Sequence, residues 1–562
     1  MGLDMNNKLQ QILKKLSQGA KESVQNGNVL SDFDCYMHVE RPVEKDLRKK
    51  IEAVQENGGG IVFLVGNAGD GKSHAFSCLK SLYPDFYFYN DATESYSPKA
   101  NSTETLSIVL REYEDDRIET TKSKYVIAIN LGKLNAFVES FGYGSNYSKL
   151  TSRLKLLFEK DTDYGFKIDC IETDRIKICQ FQFQNIYEFD INKENEAIVN
   201  SEFLMSLLEK ITFKSDANPF YKAYCETKDD IDSCCSPEVI NYELLMLDSI
   251  KNAIVKYIIE AIVRFKLTVT PREFLNFIYS ILVFEKNGSY KKNQDFFKSL
   301  LPTLLFEGDE NSFLRTIKTL DPLKEGNKEH NSDLGVLFTS LDIPTNVISQ
   351  ELLSSLPRDL IQTVKDFYGD NGRRIEDISK LLFRLKHLLD YHSESSVYTS
   401  FLNVIAGCCN DNKYCKNELF QLVRKSIPRS YGSYYERDKV VPLNIQGGKS
   451  KLFAPVVIKF ESTQSHYLNS NVFDPYITMT IMANEKKISL DIDYGMYSYL
   501  TSLATGKLTL NYSNSKNMKY YKFISDVIKA SKSEENVIAL YPHTSYSVGY
   551  DGVLNIISIE AV

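Results

Sequence analysis

Residues 58 to 80 set three local instructions end to end. Gly58-Gly59-Gly60 breaks the chain, and Ile61-Val62-Phe63-Leu64-Val65 then runs apolar without alternation. Such a run reads as a short strand buried on both faces, as in a parallel sheet covered by helices. Gly66-Asn67-Ala68-Gly69-Asp70-Gly71-Lys72-Ser73 follows without a spacer, and His74-Ala75-Phe76-Ser77-Cys78-Leu79-Lys80 reads as a helix. Strand, glycine loop and helix together are the context that gives the pattern G-x-x-x-x-G-K-[ST] physical meaning. At average residue frequencies a chain of 562 residues holds about 0.02 such matches by chance.

The spacing has a chemical reason. Gly66, Gly69 and Gly71 let the backbone turn tightly enough for successive N–H groups to point at phosphate oxygens. The helix N-terminus adds its partial positive charge. Lys72 is expected on the β- and γ-phosphates, and the Ser73 hydroxyl on Mg²⁺. The candidate nucleotide-binding residues are therefore Gly66, Asn67, Ala68, Gly69, Asp70, Gly71, Lys72, Ser73 and His74, with ATP (or GTP) and Mg²⁺ as the implied ligands. Asp70 suits a turn better than the role of a base.

The next segments continue an α/β pattern. Asp85-Phe86-Tyr87-Phe88-Tyr89 is a second candidate strand, ending at Asn90-Asp91. Ser102 to Tyr113 reads as a helix with Leu106, Val109, Leu110 and Tyr113 on one side. Tyr125-Val126-Ile127-Ala128-Ile129-Asn130 and Ile176 to Phe183 are a third and a fourth strand. Alternating strands and helices imply a parallel sheet with right-handed crossovers.

One expected group is displaced. Enzymes with this loop usually end a buried strand in Asp or Glu, which holds Mg²⁺ through water. Here the best-placed strand ends in Asn130-Leu131-Gly132. Either Asn130 stands in the acid's position, where it can hydrogen-bond a metal-bound water but take no proton, or the acid comes from elsewhere, with Asp91 and Glu94 nearest. Asn185, after the fourth strand, is a lesser candidate for positioning water and reads first as a turn residue.

Residues 199 to 430 are mostly helical by pattern. Thr270-Pro271-Arg272-Glu273 opens one helix with an N-cap, a proline in the first turn and a capping box. Arg272 then occupies a first turn, where the helix dipole disfavours a cation. It is a candidate for reaching nucleotide phosphates from a helical lid, or a surface arginine paired with a carboxylate. Arg373-Arg374 with Arg384 and Lys386 form a further basic concentration, most simply a solvated helix face. Cys225, Cys234 and Cys235 form one cysteine group and Cys408, Cys409 and Cys415 another; neither has paired C-x-x-C spacing, and a metal at the first remains an open reading.

From about Arg437 the composition turns to β. Ala454 to Phe460, Tyr476 to Ile481 and Lys487 to Ile492 read as strands, Tyr497 to Leu503 and Lys519 to Lys529 as helices, and Ile556 to Ile559 as a last strand. Pro455, lacking an N–H, is expected at a strand start or on an edge. No run of about 18 apolar residues suggests a membrane span, and no apolar run follows a basic N-terminal stretch, so the expected location is the cytoplasm. The ten cysteines are then expected to be reduced. A net charge of −7 excludes a uniformly basic nucleic-acid binder but leaves room for a local basic groove or a basic partner.

Several tracts together resemble one family. They are Phe33-Asp34-Cys35-Tyr36-Met37-His38-Val39-Glu40-Arg41, Gly69-Asp70-Gly71-Lys72-Ser73-His74, Asn90-Asp91-Ala92-Thr93-Glu94-Ser95, Ala128-Ile129-Asn130-Leu131-Gly132, Asn218-Pro219-Phe220, Asn241-Tyr242-Glu243 and Thr270-Pro271-Arg272-Glu273-Phe274. In that order they look like the DptF-type P-loop proteins of bacterial DNA phosphorothioation-dependent restriction systems. The resemblance implies an ATP-binding subunit that works with other restriction-complex proteins, with DNA met directly or through them, oligomerisation possible and cutting left to a partner. The expected architecture is a lead-in over 1–50, an AAA+-like P-loop NTPase core with a parallel sheet over 51–198, a helical region over 199–436, and a small mixed α/β or β-rich domain over 437–562. The expected catalytic set is Lys72, Asn130 and Arg272, with Ser73 on the metal.

Overall fold

A computed structural model describes residues 7–25, 31–66, 70–90, 102–142, 144–158, 170–181, 186–192, 196–230, 236–284, 296–308, 311–324, 328–340, 342–368, 375–391, 393, 395–432, 439–443, 451–466, 475–506, 514–531, 536–541, 544–551, 553–554 and 556–561. The chain divides into two compact units. The first comprises Met1–Tyr187, Asn200–Ile262 and Leu267–His392, and the second Glu188–Val199, Val263–Lys266 and Ser393–Val562.

The first unit is built on a four-stranded parallel sheet. Its strands are β1 (Gly60–Val65), β2 (Tyr87–Asn90), β3 (Lys124–Ile129) and β4 (Ile176–Gln180), in the spatial order β2-β3-β1-β4. β1 pairs with β3 from Gly60↔Lys124 to Val65↔Ile129 and with β4 from Ile61↔Ile176 to Val65↔Gln180. Because side chains alternate along a strand, the apolar run of β1 serves two cores. Ile61, Phe63 and Val65 join Ile127, Ile129, Leu134, Phe137 and Leu150 on one face. Val62 and Leu64 join Val126, Ala128, Leu47, Ile51 and Phe76 on the other. The first face is covered by α5 (Ser102–Val109), α6 (Leu131–Ser140) and α7 (Ser148–Lys155), the second by α3 (Pro42–Glu56) and α4 (Lys72–Lys80).

The N-terminal edge of this sheet is tied by two polar side chains. The buried Tyr113 hydroxyl lies 2.7 Å from the Gly60 carbonyl and 2.8 Å from that of Ser123. Arg175 Nη1 donates to the carbonyls of Asn57, Gly59 and Thr121 at 3.2, 2.9 and 3.2 Å. Two of the three glycines are needed for this close approach: a Cβ at Gly59 would lie against the Thr121 carbonyl oxygen, and one at Gly60, with φ +150°, would lie 2.8 Å from the Arg175 carbonyl oxygen.

The remainder of the first unit is helical. α1 (Lys8–Gln25) packs on the helices Pro219–Lys228 and Pro271–Leu282. In the helix Ile375–Leu389, Arg384 is 2% exposed and holds Asp321 with two bonds, Nε to Oδ1 at 3.2 Å and Nη2 to Oδ2 at 2.6 Å. Its Nη1 reaches Glu307 Oε1 at 2.8 Å. Lys386 pairs with Asp333. Arg384 is therefore not on the solvated face that its charge suggested, but is an internal tie; Arg373 and Arg374 lie outside the described residues.

The second unit is β-rich. β5 (Glu188–Ile191) pairs with β6 (Ala197–Asn200). Further on come a five-stranded sheet of order β14-β13-β12-β8-β7 and a three-stranded sheet of order β11-β10-β9. Their strands are β7 (Val440–Pro442), β8 (Lys451–Pro455), β9 (Ile458–His466), β10 (Tyr476–Ala483), β11 (Lys486–Ile492), β12 (Asn536–Tyr541), β13 (Thr544–Asp551) and β14 (Ile556–Ala561). Pro455 closes β8 rather than opening a strand, beyond the last β8 residue that pairs with β12, so its missing N–H interrupts no ladder on that side. The helices Ser396–Cys409 and Lys413–Ser426 belong to this unit. No helix among the described residues is long and apolar enough to cross a membrane.

Removing one partner of a buried, doubly bonded ion pair leaves the other charge buried. Arg384→Ala is expected to destabilise the first unit by about 3–5 kcal/mol, read as a lowered urea midpoint, with Lys386→Ala changing it far less because that pair is more exposed.

Candidate functional site

The C-terminal edge of the parallel sheet gathers four strand ends, the place where open α/β sheets receive ligands. At the end of β1 the chain leaves through Gly66 and returns at Asp70. Asn67, Ala68 and Gly69 lie outside the described residues. Gly71 has φ +87° and starts α4. Only glycine takes this left-handed conformation cheaply, and there is no room for more: a Cβ here would lie 2.6 Å from Arg41 Nη2. From the first residue of α4, Lys72 Nζ reaches back to donate to the Gly66 carbonyl at 2.8 Å, so the ammonium spans the mouth of the turn.

Ser73 follows on α4, and its hydroxyl oxygen accepts from Asn90 Nδ2 at 3.3 Å. Asn90 is the last residue of β2 and is buried. Asn130, the residue placed by sequence in the acid's position, follows β3 and caps α6, with Oδ1 accepting from Gly132 N–H at 2.8 Å. Two neutral strand-end asparagines thus divide the edge: one touches Ser73, the other is held by its own helix. Asp91, Glu94 and Asn185 lie outside the described residues.

Arg41 holds the turn from the N-terminal side. Its Nη1 donates to the Asp70 carbonyl at 2.8 Å and its Nε to Glu44 Oε1 at 3.1 Å. Its guanidinium carbon lies 5.2 Å from the Phe181 ring and 5.8 Å from the Phe203 ring. A planar, weakly hydrated cation suits such a place, where it can bond in-plane and stack on aromatic faces. The short segment before it is anchored at each step. Phe33 meets Phe220 edge-on at 5.7 Å, and the Tyr36 hydroxyl donates to the Lys210 carbonyl at 2.6 Å. His38 Nδ1 lies 2.9 Å from His74 Nε2. The tract Phe33–Arg41 therefore connects the helices Glu202–Thr212 and Pro219–Lys228 to the turn between β1 and α4.

His74 turns its ring toward His38, with centroids 5.0 Å apart. Burial, and then the neighbouring His38, hold its pKa down to about 4. Cys78, one helical turn further along α4, lies 3.8 Å from His38 Nδ1, and burial pushes its thiol up to about 11. The opposite ring nitrogen of His38, Nε2, is 3.6 Å from Glu44 Oε2. Among the described residues, His38, His74 and Cys78 are the group that brings three metal-ligating atoms within 4.8 Å of one another. Cys225, Cys408, Cys409 and Cys415 are in no disulfide and lie outside any such group, and Cys234 and Cys235 lie outside the described residues.

Arg272 stands in the first turn of the helix Pro271–Leu282, whose capping box joins Thr270 and Glu273 as the sequence implies. That helix packs on α1 and on the helices Pro237–Leu245, Leu301–Glu307 and Ser312–Ile317. No hydrogen bond or ion pair joins Arg272 to the glycine turn among the described residues. His38, Arg41, Cys78 and Asn90 have no place in the site as read from sequence; His38, Arg41 and Asn90 carried a signal only in the tracts of the family resemblance, Phe33-to-Arg41 and Asn90-to-Ser95. Comparison with family models, with curated proteins and with solved structures finds no match.

Arg41→Lys keeps the charge and loses the fork. It is expected to cost about 1–3 kcal/mol in a denaturant titration, and Arg41→Ala more, because Glu44 is left buried with less compensation.

Proposed function

We propose that this chain is a P-loop nucleotide-binding protein that takes Mg²⁺-ATP at the turn from Gly66 to Ser73. The observation that carries the reading is a parallel β1 leading through this turn into α4, with Lys72 Nζ across its mouth and left-handed Gly71 at the helix start. A polyphosphate suits such a place: a helix N-terminus begins at Gly71, and Lys72 can exchange the Gly66 carbonyl for a phosphate oxygen. Ser73 is the proposed Mg²⁺ ligand, and Asn90, already bonded to it, the proposed partner for a metal-bound water.

Within that class we assign the protein to phosphorothioation-dependent DNA restriction, as an ATP-binding and ATP-hydrolysing subunit acting in the cytoplasm with other proteins of the complex. The support is the ordered set of tracts from Phe33-to-Arg41 through Thr270-to-Phe274. An AAA+-like arrangement, with the following helices as a lid, belongs to the same proposal. Arg272 then reaches nucleotide only if its helix is brought to the site by closure or supplied by a second copy.

One observation favours a second reading, a nucleotide-bound scaffold that hydrolyses slowly or not at all. Both described asparagines at the sheet edge are neutral, and neither can accept a proton from the attacking water.

Lys72→Ala is expected to abolish ATP binding in equilibrium titrations and to abolish restriction in cells; retention of both would overturn the nucleotide reading. Asn90→Ala is expected to weaken Mg²⁺-ATP binding by about tenfold, the equivalent of one lost polar contact. Asn130→Ala is expected to cost only its helix cap, about 1 kcal/mol of stability, with turnover unchanged. ATP turnover by the purified protein, alone and with DNA and partner subunits, separates the ATPase from the scaffold.

A further inference from the structure

We propose that His38, His74 and Cys78 form a structural zinc site that fastens the segment before α3 to α4. The three ligating atoms come from two separate stretches of chain and already converge within 4.8 Å. Two nitrogens bound to a tetrahedral zinc stand about 3.3 Å apart, and a nitrogen and a sulfur about 3.5 Å. His38 Nδ1 lies 2.9 Å from His74 Nε2 and 3.8 Å from Cys78 Sγ, so a small rotation of each side chain meets both values.

A second, independent feature points the same way. A zinc-bound imidazole usually presents its other ring nitrogen to a carboxylate, which fixes its orientation and raises its basicity. His38 offers Nδ1 to the cluster and has Glu44 Oε2 at 3.6 Å from Nε2. Glu44 is itself held by Arg41.

The fourth ligand is Cys35. It stands three residues before His38, as His74 stands four before Cys78, so the chain reads Cys35-x-x-His38 and His74-x-x-x-Cys78. Each pair is close enough in sequence for both side chains to reach one ion, and two cysteines with two histidines are a set that holds tetrahedral zinc. Cys35 is an exposed free thiol on α2 (Asp32–Met37) and lies outside the 4.8 Å group, so its side chain must move to complete the site. Soft thiolate with imidazole selects zinc over magnesium or calcium. Binding releases the thiol protons of Cys35 and Cys78 to solvent as the sulfurs become thiolates. The proposal stands apart from nucleotide binding, since none of its ligands needs a phosphate in the turn.

The test is metal analysis of the purified full-length protein by mass spectrometry, followed by chelation and cobalt substitution. One equivalent of zinc per chain is expected, with a melting temperature that falls on chelation and recovers when zinc is returned. The cobalt-substituted protein is expected to show thiolate-to-cobalt charge transfer, weakened in Cys35→Ser and in the nearly isosteric Cys78→Ser. Failure of the wild-type protein to hold or take up zinc overturns the site. So does a full equivalent of zinc retained by the His38→Ala/Cys78→Ser double variant, or a cobalt spectrum without thiolate character. Because Lys72→Ala leaves every proposed ligand in place, zinc content in that variant is expected to match wild type, which separates this proposal from the nucleotide reading.

Discussion

Four pieces of the first unit meet at one guanidinium. Arg41 takes the carbonyl of Asp70 from the glycine turn, the carboxylate of Glu44 from its own helix, the ring of Phe181 after β4, and the ring of Phe203 from the helix Glu202–Thr212. A buried cation is tolerable only when it is paired and hydrogen-bonded; here a carboxylate and a carbonyl meet Nε and Nη1, and two aromatic rings lie beside the guanidinium. The geometry also fixes Gly71, because Arg41 Nη2 occupies the space a Cβ would need. The C-terminal part of the turn, Asp70 and Gly71, is thus held from outside it, by a residue of a segment that also carries Phe33, Tyr36 and His38.

The parallel sheet has unlike ends. At the N-terminal edge, Tyr113 and Arg175 draw backbone carbonyls from several segments together, and the glycines permit the close approach. At the C-terminal edge the described residues include the polar side chains of Lys72, Ser73, Asn90 and Asn130. A bound polyphosphate would meet groups whose supporting strands are braced from below, which limits the reorganisation needed on binding.

Much of the sheet was legible in the sequence because burial on both faces leaves an unbroken apolar run. Ile61–Val65 and the third strand are such runs, and the structure places both at the centre of the sheet. The hairpin β5–β6 was missed: Glu188–Ile191 and Ala197–Asn200 are short, mixed in polarity and surrounded by charge, so no period stands out. The contacts that shape the site were still less visible. Arg41 and Asp70 are 29 residues apart, and the bond between them uses a backbone carbonyl, which every residue has. Asn90 reads as a strand end and as part of a resemblance tract but not as a neighbour of Ser73, since that approach depends on β3 lying between β1 and β2. Arg384 misled for a related reason: a charge on a helix suggests solvent until its carboxylate partners arrive from distant sequence.

The interleaving of the two units matters while the chain is being made. The last segment of the first unit runs from Leu267 to His392, and the second unit begins with Glu188–Val199 and Val263–Lys266 yet has its largest segment only from Ser393 onward. As synthesis runs from the N-terminus, the hairpin β5–β6 emerges long before the sheets of its own unit exist. The ribosome therefore delivers most of the first unit with two stretches of chain in it that belong to a unit not yet translated. A fragment ending between the helical region and the β-rich part would leave those excursions without their unit, so the natural divisions of this protein are not cuts at single points along the chain.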